Sequence, residues 1–116
     1  MADAQTVNWV GASGRKYTYW IYPRHPEIAA VPGNYIYTKI VNNQWVPIYI
    51  GQGDLSVRLT KDHHQIKCIN SKGATHVHVH SHKDPNEAER LAEEKDLLAG
   101  YPNAYAPSGC NIKEGG

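Results

Sequence analysis

The spacing of apolar and polar positions changes several times along this chain, and each change marks an element. Residues 15–22, Arg-Lys-Tyr-Thr-Tyr-Trp-Ile-Tyr, are rich in aromatic and β-branched types and follow the turn signal Ala12-Ser13-Gly14. They predict a strand, paired in a hairpin with a run that begins near Val7 and Trp9. Pro23 and Pro26 break the pattern, and residues 26–33 have room for a short helical turn before Pro32-Gly33. Two β-type runs follow, 35–41 and 45–50, separated by the polar turn Asn42-Asn43-Gln44. That is the ordinary mark of a second hairpin. Asp54-Leu55 opens a helical stretch, and residues 63–70 continue helical until Ser71-Lys72-Gly73. Residues 75–81 alternate strictly, with Val77 and Val79 on one side and His76, His78 and His80 on the other.

The best-marked helix lies near 85–99. Asp84 is placed to cap it, Pro85 suits the first helical position, Glu87 stands three residues after the cap, and Gly100 stops it. A coiled tail completes the chain. The order predicts an α+β domain on a small, mostly antiparallel sheet flanked by helices. On the helix, Ala88, Leu91, Ala92, Leu98 and Ala99 fall on one side at about 100° per residue. Glu94 then sits at the edge of that face, and Glu89 and Glu93 point outward.

Composition adds modest bounds. The 116 residues suit one domain, with 41% hydrophobic and 20% charged positions. Eight Tyr, three Trp and no Phe supply aromatics with polar handles, which serve surfaces and sites as well as cores. No apolar run approaches the roughly 20 residues of a membrane span, and Met1–Gln5 lack a signal peptide's features. A cytoplasmic location without a membrane partner is expected. Cys68 and Cys110 match no zinc spacing and read as reduced thiols rather than a structural disulfide. Net charge is only +1, but residues 1–74 carry +4 and residues 75–116 carry −3. Either a basic lobe meets phosphates while an acidic lobe supplies metal ligands, or the asymmetry is chance.

The second hairpin carries a more specific signal. Gly33-Asn34-Tyr35-Ile36-Tyr37 lies on its first strand and Tyr49-Ile50-Gly51 on its second, with Arg58 seven residues further on. A glutamate on the last helix and an asparagine in the tail complete the set. This order resembles the GIY-YIG nuclease family over residues 32–112, with residues 1–31 as an added N-terminal hairpin. The pattern departs from the family at Asn34, where an apolar residue is usual, and in a somewhat long hairpin. A further departure is Gln52-Gly53, where repair-type members often have lysine. That last difference is similar to stand-alone phage, homing or restriction-like members rather than excision-repair subunits.

The resemblance implies a three-stranded core and a DNA endonuclease that uses Mg²⁺ or Mn²⁺. Gly33 and Gly51 take structural positions in the motif. Tyr35 and Tyr49 line the site, one of them accepting the proton of the attacking water. That role needs a nearby cation, because a free tyrosine has a pKa near ~10. Arg58 clamps phosphate with its fork of donors. Glu94, with Glu93 as the alternative, holds the ion, and Asn111, with Asn103 competing, orients backbone or phosphate. His63 and His64 are candidates to assist the leaving oxygen, against a plain solvated-helix reading. Tyr37 is expected to face away from Tyr35. Lys61, Lys67, His76, His78 and His80 are candidate nucleic-acid contacts, the histidines as a polar sheet face beside a groove. Histidines two apart on a strand can instead bind zinc or nickel. The rival reading is therefore a nucleic-acid-binding or histidine-based metal-binding module without turnover.

Overall fold

The computed structural model describes residues 5–24, 26–82 and 87–112. The strands are β1 (Thr6–Val10), β2 (Lys16–Pro23), β3 (Pro32–Val41), β4 (Gln44–Asp54) and β5 (His76–Ser81). The helices are α1 (Leu55–Arg58), α2 (Ile66–Ser71) and α3 (Glu87–Gly100), with a 3₁₀ turn at Pro102–Ala104. All strand pairings are antiparallel, in the order β1-β2-β5-β3-β4. The fold is α+β. The N-terminal hairpin is not an appendage, because β2 pairs along β5 and continues the same sheet.

Asn42 and Asn43 turn the β3–β4 hairpin with φ of 52° and 63°. Two consecutive left-handed residues make the tight turn whose twist matches paired strands, and asparagine tolerates that conformation. Strand β4 begins at Gln44, so the turn is one residue shorter than its sequence suggests. The register slips between Tyr37 and Thr38, leaving Ile48 as the extra residue of a bulge beside Pro47. Strand β4 is the sheet edge, where a residue without an N–H is tolerated. The C-terminal tail covers that edge. Cys110 N donates to Ile48 O at 2.7 Å, and the Asn111 side chain accepts from Ile50 N and donates to Ile50 O.

Both sheet faces are covered, which explains the unbroken burial of Gly33 to Thr38. On one face Tyr35, Tyr37, Tyr49, Val77 and Val79 pack with Leu55, Leu59 and Ile69 of the α1–α2 region. On the other, Trp9, Tyr17, Tyr19, Ile36 and Ile50 meet Leu97 and Leu98 of α3. Asp96 ties the β1–β2 turn to α3 by accepting from Ser13 N, Ser13 Oγ and Tyr17 Oη. Tyr37 shares the face of Tyr35, their rings 5.9 Å apart and edge to face. The opposite expectation ignored that strand residues two apart point the same way.

Several local expectations are corrected. Residues 26–31 form no helix; Ile28 and Val31 instead pack extended chain against the tyrosine-rich core. Helix α2 starts at Ile66 rather than near residue 63, because His63 Nδ1 accepts from Gln65 N at 3.0 Å and occupies a backbone donor locally. The Asp84 cap and Pro85 fall outside the described residues. Cys68 and Cys110 are disulfide-bonded, with Cα atoms 5.9 Å apart. Their sequence separation of 42 gave no pairing signal; the packing of α2 against the tail brings them together. The bond removes one support for a cytosolic setting. Among the described residues no helix is long and apolar enough to cross a membrane.

The disulfide closes a long loop and pins the tail that caps β4. Reduction is expected to cost about 2–4 kcal/mol of stability, read as a lower urea midpoint with and without reductant. The Cys68→Ser/Cys110→Ser double variant should match the reduced protein. An unchanged midpoint would mean that the covalent link adds nothing to the fold.

Candidate active site

Strands β3 and β4 set Tyr35 and Tyr49 diagonally across the hairpin, with rings stacked 6.0 Å apart. Gly51 lies opposite Tyr35 and makes this possible. A Cβ there would stand 2.5 Å from the Tyr35 hydroxyl, 2.6 Å from its Cζ and 2.8 Å from Tyr49 Cε1. Gly33 is equally closed, since a Cβ would meet His80 O and Leu55 Cδ1 at 2.7 Å. The two motif glycines therefore leave room for neighbours, one for phenol rings and one for the β5 backbone.

The turn between α1 and α2 delivers two histidines onto these rings. His63 is buried and its Nε2 lies 2.6 Å from the Tyr35 hydroxyl. Its Nδ1 accepts from Gln65 N, so the neutral ring carries its proton on Nε2 and donates it to the Tyr35 oxygen. Burial, followed by His64 and Arg58, lowers the His63 pKa to about 4, which keeps the ring neutral near pH 7. Tyr35 in turn supplies a hydrogen bond that lowers the Tyr49 pKa, and Tyr49 Oη lies 3.3 Å from His64 Nε2. His64 is exposed and stacks on His63 with centroids 4.5 Å apart. A hydrogen-bonded line thus runs from His63 through Tyr35 and Tyr49 to His64 at the solvent.

Arg58 ends α1 on the exposed side. Its side chain lies over Gly53, where φ is +146° and a Cβ would sit 2.7 Å from the Arg58 Nε. The guanidinium opposes ionised forms differently: it favours the phenolates of Tyr35 and Tyr49 and disfavours a charged His63. Burial still dominates, holding Tyr35 well above the ordinary tyrosine range and Tyr49 at about 12. Glu94, 2% exposed, adds to this rise at both phenols, so its carboxylate is within electrostatic reach of both.

Helix α3 does not present the face expected from its apolar spacing. Its buried residues are Arg90, Glu93, Glu94, Leu97 and Leu98, while Ala88, Leu91, Ala92 and Ala99 are exposed. Glu93 points inward, accepting from Tyr19 Oη at 2.6 Å and lying 2.9 Å from His80 Nδ1. The helix rotates to satisfy polar partners on the sheet, and those partners lie too far away in sequence to read locally. Glu89 is exposed, as expected.

Asn34 also gains a reason. It is buried, donates to Arg90 O at 3.0 Å and places its Oδ1 2.8 Å from His82 Nε2. An apolar residue there would strand those groups. Gln52 similarly accepts from Arg90 Nε at 3.1 Å. Asn111 is buried and clamps Ile50, the residue between Tyr49 and Gly51, whereas Asn103 is exposed. Asn111 is therefore a positioning residue for β4.

The polar-groove reading of β5 fails at His78. That ring is fully buried, accepts from Trp9 Nε1 at 2.9 Å and meets Trp45 edge to face at 4.5 Å. Burial, followed by His76, lowers its pKa to about 3. It is a satisfied core histidine. His76 is half-buried against Trp45, with centroids 5.0 Å apart, and His80 opens toward a cleft. Alternation placed these rings on one face correctly, but tryptophans from β1 and β4 cover it. Lys61 and Lys67 are exposed on the α1–α2 segment that also carries Arg58 and His64.

No protein-family model, curated protein or solved structure matches this chain.

Proposed function

We propose that this protein is a metal-dependent phosphodiester hydrolase acting on DNA through a GIY-YIG-type site. The observation that carries the reading is the stacked Tyr35–Tyr49 pair beside side-chain-free Gly51, with His63 bonded to Tyr35 and the charges of Arg58 and Glu94 acting on both phenols. These residues come from one hairpin, the α1–α2 region and the distant helix α3. Of the five strands, β3, β4 and β5 correspond to the family's three-stranded core in this reading.

Glu94 would hold Mg²⁺ or Mn²⁺, since carboxylate oxygens are the donors a hard cation takes. When bound, the ion supplies Lewis-acid stabilisation of charge on the phosphoryl group. Arg58 is exposed and forked, so it can hold two phosphate oxygens at once. The hydrogen bond from Tyr35 and the charge of Arg58 both offset part of the burial that holds the Tyr49 pKa at about 12, making Tyr49 the better placed of the two to accept the proton of water. His64 stands at the solvent end of the same line and can carry that proton away. Asn111 fixes the strand that carries Tyr49. Lys61 and Lys67 extend the cationic surface beside Arg58, along which a DNA backbone can lie.

Purified protein is expected to nick or linearise supercoiled plasmid with Mg²⁺ or Mn²⁺ and to stop in EDTA. Undiminished cleavage in EDTA would sink the metal-dependent mechanism.

A further inference from the structure

The other face of the sheet gathers a second set of donors. His80 and His82 at the end of β5 and Glu93 on α3 bring three ligand atoms within 4.8 Å of one another. His80 Nδ1 lies 2.9–3.0 Å from the Glu93 carboxylate, and His82 Nε2 lies 3.6 Å from it. Zinc bonds of about 2.0–2.2 Å in a tetrahedral arrangement space donors about 3.4 Å apart. The observed separations bracket that value.

We propose that His80, His82 and Glu93 form a binding site for a zinc-type first-row divalent ion, separate from the position assigned to Glu94. Two imidazoles and one carboxylate are the donor types of open zinc sites, and nitrogen donors disfavour Mg²⁺. A supporting group is in place. The Tyr19 hydroxyl donates to Glu93 Oε2 and orients the carboxylate. Such an outer partner holds a metal ligand in direction. Asn34 Oδ1 lies 2.8 Å from His82 Nε2, the ring nitrogen that faces Glu93, and the ring exchanges that contact for the ion on binding.

The three donors line a cleft of about 480 Å³ that Arg15, Lys16 and Thr18 also border. Three protein ligands leave a coordination position for water or an anion entering from that cleft. Glu93 and Glu94 are adjacent on α3 but serve different groups: Glu93 meets Tyr19 and His80, while Glu94 acts on the β3–β4 tyrosines. The zinc-type site stands independently of the phosphodiesterase reading.

Chelator-stripped protein is titrated with Zn²⁺ by calorimetry, and with Co²⁺ while the visible spectrum is recorded. Wild type should bind one ion of either metal at this site, with cobalt developing visible bands. The His80→Gln/His82→Gln variant should lose that binding. His82→Gln alone, a change just past the end of β5, should weaken it by more than the roughly 10–100-fold typical of losing a supporting partner. Glu94→Gln should leave it unchanged, which separates failure here from failure of the nuclease reading. Absence of Zn²⁺ and Co²⁺ binding by the wild type would overturn the proposal. So would binding that persists unaltered in both histidine variants, since the ion would then sit elsewhere.

Discussion

Arg58→Ala is expected to slow plasmid cleavage by about 10²–10³, the usual cost of losing one group that stabilises charge at the reacting centre. The change should leave the melting temperature near that of the wild type, because the side chain is exposed and packs across Gly53 rather than into the core. DNA affinity should fall as well, with one phosphate contact gone. Arg58→Lys separates charge from shape: the ammonium restores attraction to phosphate but cannot hold two oxygens in a fixed fork. Binding by fluorescence anisotropy should recover in the lysine variant more fully than the rate does. A lysine variant that cuts at the wild-type rate would show that Arg58 acts as a point charge only.

Glu94→Gln is expected to remove cleavage to a similar extent, about 10²–10³ or more, while the protein stays folded and binds DNA at least as well. The substitution preserves the shape of a side chain that is 2% exposed, removes its charge and turns one acceptor oxygen into an NH2 donor. Glu94 raises the Tyr35 and Tyr49 pKa values, so the glutamine variant lowers both phenols somewhat toward the ordinary tyrosine range. On acid–base grounds alone, that would make a tyrosine base stronger in supply, not weaker. Lost activity in this variant therefore reports on the ion, not on the phenols. Loss of a negative charge beside the phosphate path also removes repulsion, so affinity holds or improves. Thermal melting and anisotropy on the same sample check both expectations.

The strands and both hairpins were legible because their signals are local: alternation at 76–80, aromatic runs at 15–22, an asparagine pair at the β3–β4 turn. The placement of Tyr35 beside Tyr49 was reachable from a motif, since strand pairing alone brings them together. Three features were not legible, each because its partner lies far away in the chain. Glu93 faces inward to meet Tyr19 and His80, so the buried side of α3 follows polar contacts rather than its alanines and leucines. His78 looked like part of a solvated stripe until Trp9 and Trp45, from strands on either side, covered it. The Cys68–Cys110 bond depends on the tail returning along β4, which spacing does not encode. His63 is an intermediate case: its place beyond Arg58 suggested the site, but its burial and its role as donor to Tyr35 needed the fold.

Phosphodiester cleavage at the Tyr35–Tyr49 pair, in the proposed function, depends on an ion held by Glu94. The most direct test is the initial rate of supercoiled-plasmid nicking by wild type and Glu94→Gln, measured in parallel at equal concentration in Mg²⁺. The predicted result is metal-dependent nicking by the wild type and a rate lower by about 10²–10³ in a folded variant. Equal rates in the two proteins, or no nicking by folded wild type in Mg²⁺ or Mn²⁺, would contradict it.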